Sequence, residues 1–321
     1  MKPEINLARR VIDKHSLAPP IDIESLLKEY AEVSFSKIPI GCIDGICLNL
    51  KVPNKTARVI VSTNMPLLRQ RFTMAHELGH ILIPWHTGTI VDNSEFIGLE
   101  HTAYSAIEAE ANTFAAELLM PQTYIDELLD KIPDLANVNS QIAKDCGTSP
   151  LSASIRLVRI LEQQAVYAYE YGGVTQFSGR TESTLAQSLE RGALFSEDLY
   201  DYNEYHYTCK CNGGTFHWWI LPSSMQLNYT DERPWREILN EIIDEIEAGS
   251  RTDVKLKASI NGVVASANSI CKRRNDYAKE TLISAITQRF KDREEYSGFS
   301  RHRLFDTFIA KKTEELTKKI P

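Results

Sequence analysis

Apolar residues recur at steps of three and four through residues 66–83 (PLLRQRFTMAHELGHILI), and that spacing predicts one uninterrupted helix. Leu68, Phe72, Ala75, Gly79 and Leu82 form its apolar stripe, which Met74, Leu78 and Ile81 widen. The positions left over, Thr73, His76, Glu77 and His80, make a narrow polar stripe on an otherwise buried helix. Such a stripe must meet a cleft, a metal or a polar partner, because unpaired polar groups inside a core are costly. Pro84 ends the segment by pushing the residue before it out of the helical region. A second helix is predicted over 106–120 (AIEAEANTFAAELLM), with Ala103, Ile107, Ala111, Phe114 and Leu118 on its apolar side. Pro121 suits the first turn of a further helix, 122–130.

Around this pair the pattern predicts helices over 6–15 and 23–30 and strands over 33–35, 41–50 and 57–62, with Asp44-Gly45 as a hairpin turn. Cys42 and Cys47 flank that turn and read as small apolar strand residues rather than metal ligands. Residues 137–162 read as two short helices around Gly147, the proportions of a helix-turn-helix. Its second helix offers only Arg156 and Arg159 as strong phosphate contacts, which is thin for reading DNA, so packing or protein docking is the expectation. From about residue 166 the pattern turns to strands, 165–172, 204–211 and 215–222, the last two joined at Asn212-Gly213-Gly214. Cys209 and Cys211 share one strand face while His206 alternates to the other, so these residues read as core rather than as a second metal site. A helix over 234–247, a hairpin near Asn261-Gly262 and two helices near 276–295 and 301–318 follow. The sequence therefore predicts two domains, 1–165 and 166–321.

Composition narrows the class. Of 321 residues, 43% are hydrophobic and 25% charged, as in an ordinary soluble globular protein. The first residues, MKPEINLARR, carry no apolar stretch of the kind a secretory signal needs, and no apolar run approaches membrane-spanning length. Six cysteines in that context predict reduced thiols and a cytoplasmic protein. The net charge of −7 is uneven: residues 251–321 carry 16 Lys and Arg against 9 Asp and Glu. Those basic residues are interspersed with acids and read as solvated helix faces, so neither nucleic acid nor membrane is the expected partner.

Chemistry concentrates in His76-Glu77-Leu78-Gly79-His80. Residues four apart on a helix project from one face, so His76 and His80 can grip one ion, while Glu77 can reach a water on it as general base. A catalytic zinc site needs one more protein ligand and keeps a position for water. Glu108 is the candidate, and Asn112, four residues on, is the expected hydrogen-bond acceptor that fixes one ligand ring. Glu110 lies about 200° round the helix from Glu108, so both cannot ligate. Gly79 costs about 1 kcal/mol of helix propensity and predicts close approach of another helix. His86, His101, Tyr104 and Tyr124 are the residues considered for stabilising an oxyanion.

RQRFTMAHELGH at 69–80 followed by EAEANTFAAELLMP at 108–121 resembles the ImmA/IrrE family of metallopeptidases, and the resemblance covers residues 1–165. It implies an α+β fold in which a small zincin-like domain of helices and a short sheet, with its helix-turn-helix-like segment, precedes a second α+β domain. It also implies zinc held by His76, His80 and Glu108, with Glu77 as base; manganese or iron would suit the same donors. Asn112 stands where some relatives carry aspartate, so the ring that it holds should be slightly less basic. Characterised members are cytosolic and cut a helix-turn-helix repressor, releasing genes of stress response or mobile-element excision. The resemblance thus implies a protein substrate of that kind or the product of a neighbouring gene. Two other readings remain: a zinc-fold protein that sequesters a repressor or toxin without cutting it, and a DNA-binding regulator.

Overall fold

Proline at the start of α1 (Pro3–His15) sits where a missing N–H is harmless, and Ser16, in the left-handed region at φ 50°, closes the helix. Asp22 caps α2 (Ile23–Lys28) by accepting from the Ser25 N–H. This computed structural model describes residues 2–39, 43–93, 103–196, 198–246 and 253–318. The chain divides into two units, Met1–Leu157 and Val158–Pro321.

In the first unit, β1 (Glu32–Ser36), β2 (Ile43–Leu50), β3 (Arg58–Ser62) and β4 (Gly88–Asn93) form one sheet in the order β1-β3-β2-β4. β1 runs parallel to β3; the other two pairings are antiparallel. Val59, Val61 and Cys47 point from the sheet into the core, and burial pushes the Cys47 thiol up. Gly41 and Cys42 lie outside the described residues. Asp44-Gly45 is not the expected turn: both residues sit inside β2, with Gly45 opposite Val61. The buried Asp44 carboxylate accepts from Arg69 Nε at 2.6 Å.

The two predicted site helices form as α3 (Leu67–Leu82) and α4 (Ala103–Leu119). Ile83 is extended, as a residue before proline must be. α5 (Gln122–Lys131) follows, then α6 (Leu135–Cys146), capped by Asp134, and α7 (Pro150–Ile160). Gly147 between them is left-handed at φ 61°. Arg71 of α3 donates to the carbonyls of Gly147 and Ile21, tying the turn to the site helix. Arg156 does not face solvent. It is buried, paired with Glu117 of α4, and donates to the Met120 carbonyl; Arg9 of α1 holds the other Glu117 oxygen at 2.8 Å. Arg159 is exposed.

In the second unit, β5 (Ala165–Tyr171), β6 (Val174–Arg180), β7 (Tyr205–Cys211) and β8 (Gly214–Ile220) form an antiparallel sheet, β6-β5-β8-β7. Asn212 and Gly213, both at positive φ, make the expected β7–β8 turn. His206 and His217 share the face of Trp219, opposite Cys209 and Cys211. Among the described residues, four helices of at least two turns follow: α8 (Trp235–Ile246), α9 (Asp253–Arg273), α10 (Lys279–Lys291) and α12 (Phe305–Lys318), with the short α11 (Ser297–Ser300) before the last. Their core is built from Ile238, Ile242, Ile260, Leu282, Ile286, Phe290 and Phe308. Asn261-Gly262 is not a hairpin but mid-α9, because Ile260, Val263, Val264, Ala267 and Cys271 bury one helical face.

Candidate metal centre

The polar stripe of α3 is sealed from water: Thr73, His76, Glu77 and His80 are each no more than 1% exposed. Burying such groups requires partners, and α4 brings them to the two histidines. Its approach is close because Gly79 has no side chain; a Cβ there would lie 3.1 Å from Phe114 Cδ1 and 3.3 Å from Ala111 Cα. Across this contact Glu108 Oε2 lies 3.0 Å from His76 Nε2, and Glu108 Oε1 lies 3.5 Å from His80 Nε2. The two imidazole Nε2 atoms are 2.9 Å apart. His76, His80 and Glu108 thus offer three donor atoms within 4.8 Å of one another. Asn112 Oδ1, one turn beyond Glu108, lies 3.0 Å from His76 Nδ1 and can accept its proton.

The protonation states suit a cation. Burial pushes His80 down to about 4, against the pull of Glu108, so the ring is neutral near pH 7. Burial alone would raise the Glu108 carboxyl, yet the nearby His76 and His80 rings hold it at about 2. A neutral His80 and an ionised Glu108, with His76 Nε2 beside them, therefore place three potential donor atoms around one point. Glu108 Oε1 is buried and makes no hydrogen bond among the described residues. A divalent ion would satisfy all three groups, so the donor set fits the metal that the spacing predicts.

Glu77, beside His76 on α3, has both carboxylate oxygens buried. It faces β2 at Gly45, where a Cβ would collide with Glu77 Oε1 and lie 2.6 Å from Thr73 Cγ2. Glu110 does not join the cluster. Its Oε2 accepts from Trp85 Nε1 at 2.6 Å and lies 3.0 Å from His86 Nε2. His86, fully buried, lies with Nδ1 2.9 Å from His80 Nδ1. Tyr124 donates to Asp145 on α6. His101 and the Tyr104 side chain lie outside the described residues. Gly45 and Lys51 are site residues that sequence reasoning missed. Lys51 Nζ donates to the carbonyls of His80, Ile83 and His86 at 2.6–2.8 Å, holding the end of α3. Neither carries a local signal, since each is explained by a contact with a distant element.

Residues 21–158 match the family model of the IrrE N-terminal-like domain. The radiation response metalloprotease IrrE of Deinococcus radiodurans is 29% identical over 156 residues, 47% of this chain and 44% of that protein. Its Deinococcus deserti counterpart is 26% identical over 194 residues, 56% of this chain and 66% of that protein. An uncharacterized immunity region protein 2 of Bacillus phage phi105 is 27% identical over 143 residues, 42% of this chain and 83% of that protein. The matched stretch therefore spans between about half and two thirds of the Deinococcus relatives. Residues 21–158, which hold α3 and α4 with both motifs, thus form an IrrE N-terminal-like domain.

Proposed function

We propose that this chain is a zinc-dependent regulatory endopeptidase that hydrolyses a peptide bond in a specific partner protein. The carrying observation is the convergence of His76, His80 and Glu108 on one point, with Glu77 buried beside the two histidines on α3. Zinc is the first choice for two imidazoles and a carboxylate; manganese and iron suit the same donors. A bound ion would supply Lewis acidity, polarising the scissile carbonyl and lowering the pKa of water towards about 7. Glu77 takes the proton from the attacking water and passes it to the leaving amine. Asn112 holds the His76 ring by its Nδ1 edge, leaving Nε2 for the ion.

Relatives named for radiation response and for a phage immunity region favour a regulatory substrate. A helix-turn-helix repressor, or the product of a neighbouring gene, is the proposed partner. A cytoplasmic location follows from such a partner, and no described helix is long and apolar enough to cross a membrane. Residues 166–321 would sense a signal or dock the substrate. Direct DNA binding is disfavoured because Arg156 is spent on Glu117 inside the fold.

The test is co-incubation of the metal-loaded protein with the neighbouring gene's product. Glu77→Gln should keep its metal yet lose roughly 10²–10⁴-fold in cleavage rate, the usual contribution of a general base. Cleavage at the unaltered rate in that variant overturns the mechanism.

A further inference from the structure

His86 has no part in the reaction as proposed, yet it is fully buried in contact with a candidate ligand. After α3 the chain turns through Pro84 and Trp85, and the His86 N–H bonds the Ile83 carbonyl at 3.2 Å. Lys51 clamps the same turn through the three carbonyls named above. The turn returns the His86 ring to the Nδ1 edge of His80. Glu108 and Glu110, on opposite sides of α4, therefore address the two edges of one histidine. Glu108 meets Nε2 directly; Glu110 meets Nδ1 through His86.

Counting protons along this chain fixes the tautomers. Glu110 Oε2, which already accepts from Trp85 Nε1, lies 3.0 Å from His86 Nε2 as an acceptor, so His86 Nε2 carries a hydrogen and donates it. A His86 ring that donates from Nε2 leaves its Nδ1 as the acceptor facing His80 Nδ1, 2.9 Å away. The single hydrogen between the facing Nδ1 atoms must then sit on His80. A neutral His80 protonated at Nδ1 keeps its Nε2 lone pair free, and Nε2 is the atom directed at His76 and Glu108. His76 obtains the same tautomer from the Asn112 amide oxygen. The two anchors differ in kind: His76 has a neutral amide, His80 a carboxylate acting through an imidazole.

We infer that His86 and Glu110 are positioning residues of the metal centre, which lock the His80 tautomer and ring and thereby set the affinity for the ion. The inference rests on the metal-binding reading of His76, His80 and Glu108. Groups in this outer position characteristically change metal affinity by roughly 10–100-fold.

Zinc affinity of the full-length protein, measured by chelator competition after metal stripping, tests the inference. Cobalt absorption reports the ligand field, and the thermal midpoint of the metal-free protein reports folding. His86→Ala should weaken zinc binding by roughly 10–100-fold and alter the cobalt spectrum. His86→Asn places an acceptor near the original Nδ1 and should recover part of that loss. Glu110→Gln keeps an acceptor but removes the charge, and should weaken binding by roughly 10-fold, the low end of the same range. Because Glu110 is partly exposed, this variant carries the test if His86→Ala does not fold. No zinc binding by the unaltered protein overturns the metal reading itself. Tight binding by the unaltered protein, matched by His86→Ala and Glu110→Gln, overturns this inference alone. Loss in His86→Ala, without recovery in His86→Asn or loss in Glu110→Gln, marks simple packing and overturns it too.

Discussion

At the scale of single residues, the reach of Glu77 depends on what stands opposite. Gly45 lies on β2 against the polar stripe of α3, and a methyl group there would enter the space of Glu77 Oε1 and Thr73 Cγ2. Gly45→Ala must therefore displace the Glu77 carboxylate or lift β2 from α3. Overpacking of this kind costs about 1–3 kcal/mol, and a misplacement of about 1 Å at a reacting group can cost about 10²-fold in rate. The expected variant is folded, loses more than tenfold in cleavage rate, and keeps its zinc affinity because the atoms nearest the added methyl belong to Glu77 and Thr73 rather than to a candidate ligand. Urea titration, turnover and chelator competition on one preparation separate these effects; unchanged turnover would mean that the base is not placed by this contact. The same residue marks how far the sequence could be read. His76, Glu77, His80 and Glu108 were legible because their spacing is a property of one helix at a time. Gly45 was not: Asp-Gly is a local turn signal, and the demand for glycine comes from a carboxylate on another element.

Between elements, the contact that decides the centre is the crossing of α3 and α4 at Gly79. Replacing Gly79 with alanine should gain about 1 kcal/mol of helix propensity. Against that, its Cβ would press on the Ala111 backbone at 3.3 Å, where no rotamer change can yield. Overpacking at about 1–3 kcal/mol wins, so Gly79→Ala should destabilise the protein by about 1 kcal/mol. It should also weaken zinc binding, since Glu108 and Asn112 both ride on α4. Gly262 on α9 supplies the opposite case. It is exposed, and a Cβ there meets nothing within 4 Å. Gly262→Ala should therefore stabilise by about 0.5–1 kcal/mol, read as a higher urea midpoint at unchanged slope. A destabilised variant would contradict a continuous α9. Asn-Gly predicted a hairpin there because that dipeptide is the strongest short turn signal, yet a buried helical face on both sides of it prevails. β4 and β6 went unread for a related reason. GTIVDN and VTQFSGR are short and only partly apolar, and their pairing with β2 and β5 defines them as strands.

Across the whole molecule, the candidate centre falls in one unit, and the other holds a carboxylate whose ionisation opposes folding. Asp292, after α10, accepts the Tyr202 hydroxyl at 2.7 and 2.8 Å. Burial raises its carboxyl to about 7, with Asp201 adding to the rise, while the hydrogen bonds from Tyr202 and the Gln187 backbone hold it back. In the unfolded chain the same group titrates near 3.8. Between those two values the unfolded chain releases its proton first, so stability falls as pH rises from about 4 to about 7 and then levels. Below about 4 both states are protonated and the penalty vanishes. A tenfold change in proton affinity is worth about 1.4 kcal/mol, so the burden at pH 8 is on the order of 2–4 kcal/mol. Asp292→Asn removes the titration but leaves Tyr202 one weaker acceptor, a loss of about 1 kcal/mol. The variant should therefore be more stable than the parent at pH 8 by about 1–3 kcal/mol and slightly less stable at pH 4. Thermal midpoints of both proteins at pH 4, 6 and 8 test this directly, because the sign of the difference must reverse. A constant difference across that range would mean that Asp292 is ionised in the folded protein, with the Tyr202 hydroxyl sufficient to hold its charge.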